Sequence, residues 1–178
     1  ETEQVIQALD VQDIYEVPLR LKEEGLDRII VKLLNLKEGE CDLKDWKSKV
    51  VDKVLHPKYT TRIGVVGKYI EHQDAYKSIY EALRHGGIAN DCRLELIKID
   101  SEKLSSSEFH KTLREVNGIL VPGGFGSRGI EGKIEAIGYA RENGIPFLGL
   151  CLGMQCAVIE FARNVCHLTN ANSTEFDK

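Results

Sequence analysis

The sequence predicts an α/β fold built on a mostly parallel sheet. Three observations carry this. From Arg62 onward, short apolar runs alternate with helical patterns of about three turns. One of those runs, ending at Val121, opens into a glycine-rich loop before the next helix. Another, ending at Leu150, runs into Cys151 with a glycine two residues further on. In sheets of this kind, ligands bind where strand C-termini meet helix N-termini.

Before Arg62 the pattern is helical. In DVQDIYEVPLRLKEEGLDRIIVKLLNL (10–36), Ile14, Val17 and Leu21 fall at helical spacing, Pro18 disturbs the middle, and Gly25 ends the stretch. A second helix is expected over Leu26–Leu34. Residues 1–36 thus read as the helical remnant of a larger domain. Residues 37–61 are strongly charged and read as a linker with one amphipathic helix. Leu43, Trp46, Val50 and Val54 mark its apolar face, and Pro57 stops it.

Residues 62–178 form the α/β domain. Its expected elements are strand Ile63–Val66, helix Ala75–Leu83 closed by Gly86-Gly87, and strand Leu94–Ile99. Helix Ser107–Glu115 and strand Gly118–Val121 follow. Helix Gly132–Glu142, strand Phe147–Leu150 and helix Met154–Ala162 complete the series.

The 178 residues are 42% hydrophobic, enough for one ordinary core plus a fragment. A net charge of -4 gives no basic excess for nucleic acid or an anionic membrane. Five cysteines, an odd number without C-x-x-C spacing, argue against a disulfide framework or a zinc site and for a reducing cytoplasm. The apolar run around Cys151 is broken by Gln155 and Glu160, too soon for a membrane span. Glu1-Thr2 opens no signal peptide, and in a cytosolic protein the acceptor-like Asn172-Ser173-Thr174 is idle. No internal repeat stands out.

Gly149-Leu150-Cys151-Leu152-Gly153 has the G-x-C-x-G form of a nucleophile elbow. Small residues two before and two after let neighbouring chain pass close, and the reactive atom is lifted clear of the sheet. A thiol there faces unsatisfied amides at the start of the next helix. That field is expected to favour thiolate relative to the free value of about 8.5. The N–H of Leu152 points where an oxyanion would form. The plain alternative is a buried cysteine packing as a small hydrophobe, which is the reading for Cys156 and Cys166.

The loop VPGGFGSRGIEG (121–132) contains G-x-G-x-x-G over Gly124–Gly129. A dinucleotide fold would need an acid at the end of the next strand, where Cys151 stands instead, and Asp100 comes in the wrong order. The loop also fails as a P-loop, with Ser127 in place of glycine and Ile134 in place of Ser or Thr. The remaining reading is an oxyanion loop whose backbone amides turn toward the neighbouring thiol. Such an acyl-transfer pocket also requires a base.

PGGFG followed by RG-x-EGK, then GLCLGMQ and NANSTEF, resembles the glutaminase domain of the CTP synthases. VGKYIEHQDAYKSIYEALRHGG and DIYEVPLRLKEEGLD resemble flanking parts of the same family, so the likeness spans nearly the whole chain. LCLGMQ alone would indicate only a class I glutamine amidotransferase. The resemblance implies a flavodoxin-like sheet with helices on both faces, incomplete at its C-terminal side and preceded by the tail of the amidoligase domain. It implies that Cys151 attacks the side-chain amide of glutamine to give a thioester and ammonia. The amides of Gly124 and Leu152 would stabilise the oxyanion. Gly124, Phe125, Leu152, Gly153, Met154, Gln155 and Glu175 would contact glutamine, with Glu175 facing its ammonium. Phe125, Arg128 and Glu131 would belong to a mobile loop responding to GTP, or Arg128 and Glu131 would form a solvated pair. Asp10 and Val11 resemble an adenine-contacting segment for ATP, or cap the following helix.

In this family ammonia passes to a separate domain, where ATP with magnesium activates UTP for amination to CTP, in a cytoplasmic homotetramer. The resemblance implies no cofactor or metal ligand in this chain itself. The family's base and orienting acid form an H-P-E motif downstream of the nucleophile, and no match occurs before Lys178. His56-Pro57 is followed by Lys58 and precedes the sheet. His72 lies in a loop that could line a pocket. His85 is expected at a helix end, and His110 and His167 at the surface. By itself the chain is therefore expected to turn over glutamine poorly, and a truncated sheet to leave apolar surface uncovered. A catalytically inactive amidotransferase-like binding or assembly domain is the alternative. Another cysteine hydrolase on a similar sheet would have no use for Gln155 or Glu175.

Overall fold

The computed structural model describes residues 5–70, 73–103 and 107–176. The chain forms two compact units, Glu1–Tyr59 with His85–Arg93, and Thr60–Arg84 with Leu94–Lys178.

In the first unit a short 3-10 turn, Ile14–Glu16, starts at Asp13. The Asp13 carboxylate accepts from the Tyr15 amide (3.1 Å), and the Glu16 carboxylate accepts from the Asp13 amide (2.9 Å). The cap is therefore Asp13, and Asp10 does not serve that role. Helix α1 (Val17–Glu23) carries Pro18 in its first turn. A proline has no N–H to lose there and its φ suits the helix, so Pro18 opens α1 and does not interrupt it. Gly25, at φ +79°, separates α1 from α2 (Leu26–Leu33). The charged stretch holds α3 (Lys44–Trp46), a π-helical segment Lys47–Val51, and α4 (Asp52–Leu55) in direct succession. The Trp46 indole N–H donates to the Tyr15 carbonyl at 2.8 Å, and their rings meet edge-on at 5.8 Å. The helical run stops two residues before Pro57.

A four-stranded sheet has the order β2-β1-β3-β4, with β1 Tyr59–Gly67, β2 Cys92–Asp100, β3 Gly118–Val121 and β4 Phe147–Gly149. β1 and β3 run parallel with Ile63 beside Gly118, and β3 and β4 run parallel with Ile119 beside Phe147. This is the order of a flavodoxin-like sheet, whose winding reverses between β1 and β3. β3 is buried along its whole length, as a central parallel strand must be.

The helices are α5 (Lys77–Ala89), α6 (Ser107–Leu113), α7 (Ile130–Glu142) and α8 (Leu152–Asn164). Gly86 and Gly87 lie inside α5 and do not close it. The turn is closed by Asn90, whose side-chain amide donates to the Gly86 carbonyl at 2.8 Å, and by Asp91 at φ +54°. His85 accordingly lies short of the helix end, with Nε2 2.6 Å from the Tyr15 hydroxyl. α7 and α8 each begin two residues earlier than their apolar spacing suggests, so α8 starts directly after Cys151.

The core lies between sheet and helices, with Val66, Ile119, Val121, Ile134, Leu152 and Cys156 among its members. Outside it, Leu148, Met154, Val158 and Phe161 leave half or more of their surface exposed along β4 and α8.

Candidate active site

The site is built where β3 and β4 end. After β4, the Leu150 amide still donates to the Val121 carbonyl at 2.9 Å, so the two strands stay paired up to the corner. The chain then reverses through Cys151, at φ +52° and ψ -108°. A non-glycine residue rarely adopts a positive φ, and such strain gathers at functional sites. The amides of Met154 and Gln155 return to the Cys151 carbonyl at 3.0 and 3.2 Å, and that of Gly153 to the Leu150 carbonyl at 2.9 Å, locking the bend.

The two flanking glycines are needed for closeness. A Cβ on Gly149 would stand 2.6 Å from the Gly153 carbonyl carbon. One on Gly153 would stand 2.1 Å from the Val121 oxygen. With no side chains there, α8 begins hard against the ends of β3 and β4, and Cys151 is exposed at the turn. Cys166, beyond the helix end, is exposed and does not pack as a buried hydrophobe, whereas Cys156, one turn into α8, is fully buried. Burial pushes its thiol up, against the pull of the Lys133 ammonium. The exposed thiol of Cys151 and the sealed one thus lie five residues apart, the first just before α8 and the second inside it.

The glycine loop runs beside this corner. A Cβ on Gly123 would lie 3.5 Å from the Cys151 Cβ and 4.0 Å from its Sγ, and one on Gly124 3.7 Å from Leu152 Cδ2. The structure therefore brings together Cys151, Leu152, Gly153 and the loop from Gly123. Gln155 is half-buried, and its Oε1 is buried without a hydrogen-bond partner among the described residues. Met154 is exposed. Glu175 is exposed, with its amide donating to Ser173 Oγ at 3.2 Å, and its charge reaches the Cys156 thiol.

The residues assigned to a GTP-responsive loop are engaged separately. Phe125 is 80% exposed, and its carbonyl accepts from the Lys68 ammonium. Arg128 pairs with Glu102 at 3.4 Å, and Glu131 with Arg163 at 3.1 Å, so Arg128 and Glu131 do not form a pair with each other. Asp10 and Val11 belong to the first unit, Asp10 exposed and Val11 half-buried. His56 follows the end of α4. His110 lies in α6 with its ring 5.5 Å from Phe109, and exposed His167 follows α8 at φ +59°. His72 lies outside the described residues. Among the described residues no group of three His, Cys, Asp or Glu is placed to hold a metal ion, and no helix is long and apolar enough to cross a membrane.

Two lysines were not anticipated. Lys68 follows β1 and holds the loop at Phe125. Lys133 is fully buried in α7, with Nζ 3.7 Å from where a Cβ on Gly124 would stand. Its signal was in the spacing: Ile130, Lys133, Ile134 and Ile137 follow i, i+3, i+4, i+7, which puts the lysine on the apolar face.

Residues 71–176 match the family model for glutamine amidotransferase class-I. The chain belongs to that family. It is similar to the CTP synthase of Methanocaldococcus jannaschii, 58% identical over 182 residues, covering 99% of this chain and 34% of that protein. It is 59% identical to the CTP synthase of Carboxydothermus hydrogenoformans over 172 residues, 97% of this chain and 32% of that protein. The chain thus spans about a third of the length of the curated relatives it matches. A similar solved structure is the glutaminase domain of Trypanosoma brucei CTPS with bound acivicin, at 45% identity and a TM-score of 0.61. That match covers 66% of this chain and 46% of that one. The α/β sheet expected from the sequence is the observed one, and it is the sheet of this amidotransferase family.

Proposed function

We propose that this chain is the glutamine-hydrolysing part of a CTP synthase, with Cys151 as its nucleophile. The observation that carries the reading is the corner: an exposed thiol at φ +52°, packed beside the glycine loop. The thiolate of Cys151 attacks the amide carbon of the glutamine side chain, and a C–S bond forms. The amide oxygen becomes an oxyanion, which accepts hydrogen bonds from the Gly124 and Leu152 amides. The C–N bond then breaks, and the nitrogen takes up the proton given by the thiol and leaves as ammonia. Water cleaves the thioester, releasing glutamate. Gln155, whose buried Oε1 lacks a partner, and exposed Glu175 hold the amino-acid end of glutamine, with Phe125, Gly153 and Met154 around it.

The proton relay requires a histidine and an acid, as the family's H-P-E motif would supply. None of the described histidines is assigned that role. The ammonia serves ATP-dependent amination of UTP to CTP in the complete protein, a cytoplasmic homotetramer using magnesium with ATP. Asp10 and Val11 contribute contacts to the adenine of ATP. GTP acts on the loop carrying Phe125 and Arg128, both of which present exposed surface. The 52–59% identity to CTP synthases over nearly the whole chain supports this larger assignment.

Acivicin, the compound bound to the Trypanosoma brucei glutaminase domain, provides the test. Peptide mapping after incubation should place one adduct on Cys151 and none on Cys41, Cys156 or Cys166. An adduct spread over the exposed cysteines, or a Cys151→Ala protein that still releases ammonia from glutamine, would end the assignment. Labelling of Cys151 in an intact protein that never hydrolyses glutamine would instead mark an inactive binding domain.

A further inference from the structure

Lys133 is the largest fully buried side chain among the described residues. It stands in the first turn of α7, where the helix dipole opposes a positive charge. Its Nζ has no hydrogen-bond partner among the described residues. Burial pushes the ammonium below the ordinary lysine range. Cys156 works against that shift, and the nearby Lys68 cation adds to it. A methionine would fill the same space without any of these penalties. A fold that keeps a cation in such a place has a use for it.

The use is indicated by what the ammonium faces. Nζ lies 3.7 Å from the Cβ position of Gly124, and that same position is 3.7 Å from Leu152 Cδ2. Gly124 and Leu152 are the two residues whose amides receive the oxyanion in the proposed reaction. Beside that pair, the Lys133 ammonium has no hydrogen-bond partner among the described residues. It gains a counter-charge when the amide oxygen of glutamine becomes negative.

We infer that Lys133 is a positioning residue for the acyl-transfer step, its buried ammonium packed beside Gly124 and supplying positive potential next to the oxyanion site. It touches neither the substrate nor the reacting atoms. The inference rests on the proposed glutaminase reading and adds a group that reading does not require.

The test uses the intact protein that contains this chain, with Lys133→Met, Lys133→Gln and Cys151→Ala compared for glutamate release and for thermal unfolding. For Lys133→Met we expect kcat to fall by about tenfold to a hundredfold, KM to stay within about threefold, and Tm to stay level or rise. Rate and stability then move in opposite directions, which a merely structural lysine would not produce. An unchanged kcat overturns the inference. So does a rate loss accompanied by a lower Tm, since that is the mark of a lysine needed only for folding. If the methionine variant does not fold, Lys133→Gln is judged by the same criteria. An inactive Cys151→Ala beside a fully active Lys133→Met removes the lysine's role and leaves the glutaminase reading standing. An active Cys151→Ala removes both.

Discussion

The α-carbon of Gly153 lies so close to the end of β3 that a methyl group on it would stand 2.1 Å from the Val121 carbonyl oxygen. Both partners are backbone, so neither can swing aside. Gly153→Ala must push the start of α8 away from the sheet and with it the bend that presents Cys151. We expect a loss of about 3 kcal/mol, or roughly 6–12 °C in Tm for a chain of this size. Gly86→Ala is the matched control. It lies in α5, where an added methyl would meet no atom of the described residues within 4 Å beyond its own helix backbone, and it should stabilise by about 0.5–1 kcal/mol. Thermal melts of the two variants against the parent protein check both signs.

Glu160 is the buried acid of α8, with a side chain 2% exposed. Burial alone would raise its carboxyl. Hydrogen bonds from Arg141 at 2.9–3.1 Å and from Asn164 at 3.0 Å, with the Arg141 charge, outweigh it and hold the carboxyl below the ordinary value of 4.5. The folded protein therefore keeps this group ionised to lower pH than the unfolded chain does. Its contribution is complete above pH 4.5 and is lost as pH falls through the depressed value. Glu160→Gln should be about 2 kcal/mol less stable at pH 7 and should show a flatter acid limb. Urea midpoints at pH 7, 5, 4 and 3 measure it. Parallel curves for the two proteins would mean that Glu160 does not couple to folding.

The corner at Cys151 was legible because it combines two short-range rules: small residues where chains touch, and an apolar run that ends abruptly. β3 was legible to the residue, because a fully buried strand reads as an unbroken apolar run. The element ends were less so. Gly86-Gly87 reads as a stop, yet α5 continues through both, since Asn90 and Asp91 supply the terminating geometry. Pro18 reads as an interruption and proves to be a first-turn residue. Lys133 and Glu160 share one lesson. Each lies on the apolar face of its helix, at i+3 from Ile130 and i+8 from Leu152. A charge in that stripe is easily taken as a break in it, and only the tertiary structure shows that the charge is itself buried.

Arg163, in the last turn of α8, ties three parts of the site together. Its Nε donates to the Ala171 carbonyl at 2.7 Å, and its Nη1 meets both Glu131 oxygens at 3.1 Å. Its side chain is 20% exposed and that of Glu131 is 64% exposed, so the two contacts differ in worth. The exposed ion pair contributes about 0.2–1 kcal/mol. The charge-assisted bond to Ala171 contributes about 1.5–3 kcal/mol, and it fixes the segment that carries Glu175 four residues later. Arg163→Met should therefore speed amide exchange over residues 168–176 and, on the proposed function, raise KM for glutamine with little change in kcat. Glu131→Gln should leave exchange in that segment almost unchanged. If Glu131→Gln loosened residues 168–176 as much as Arg163→Met, the ion pair and not the carbonyl bond would be holding the segment. Hydrogen-exchange mass spectrometry on the two variants separates these cases.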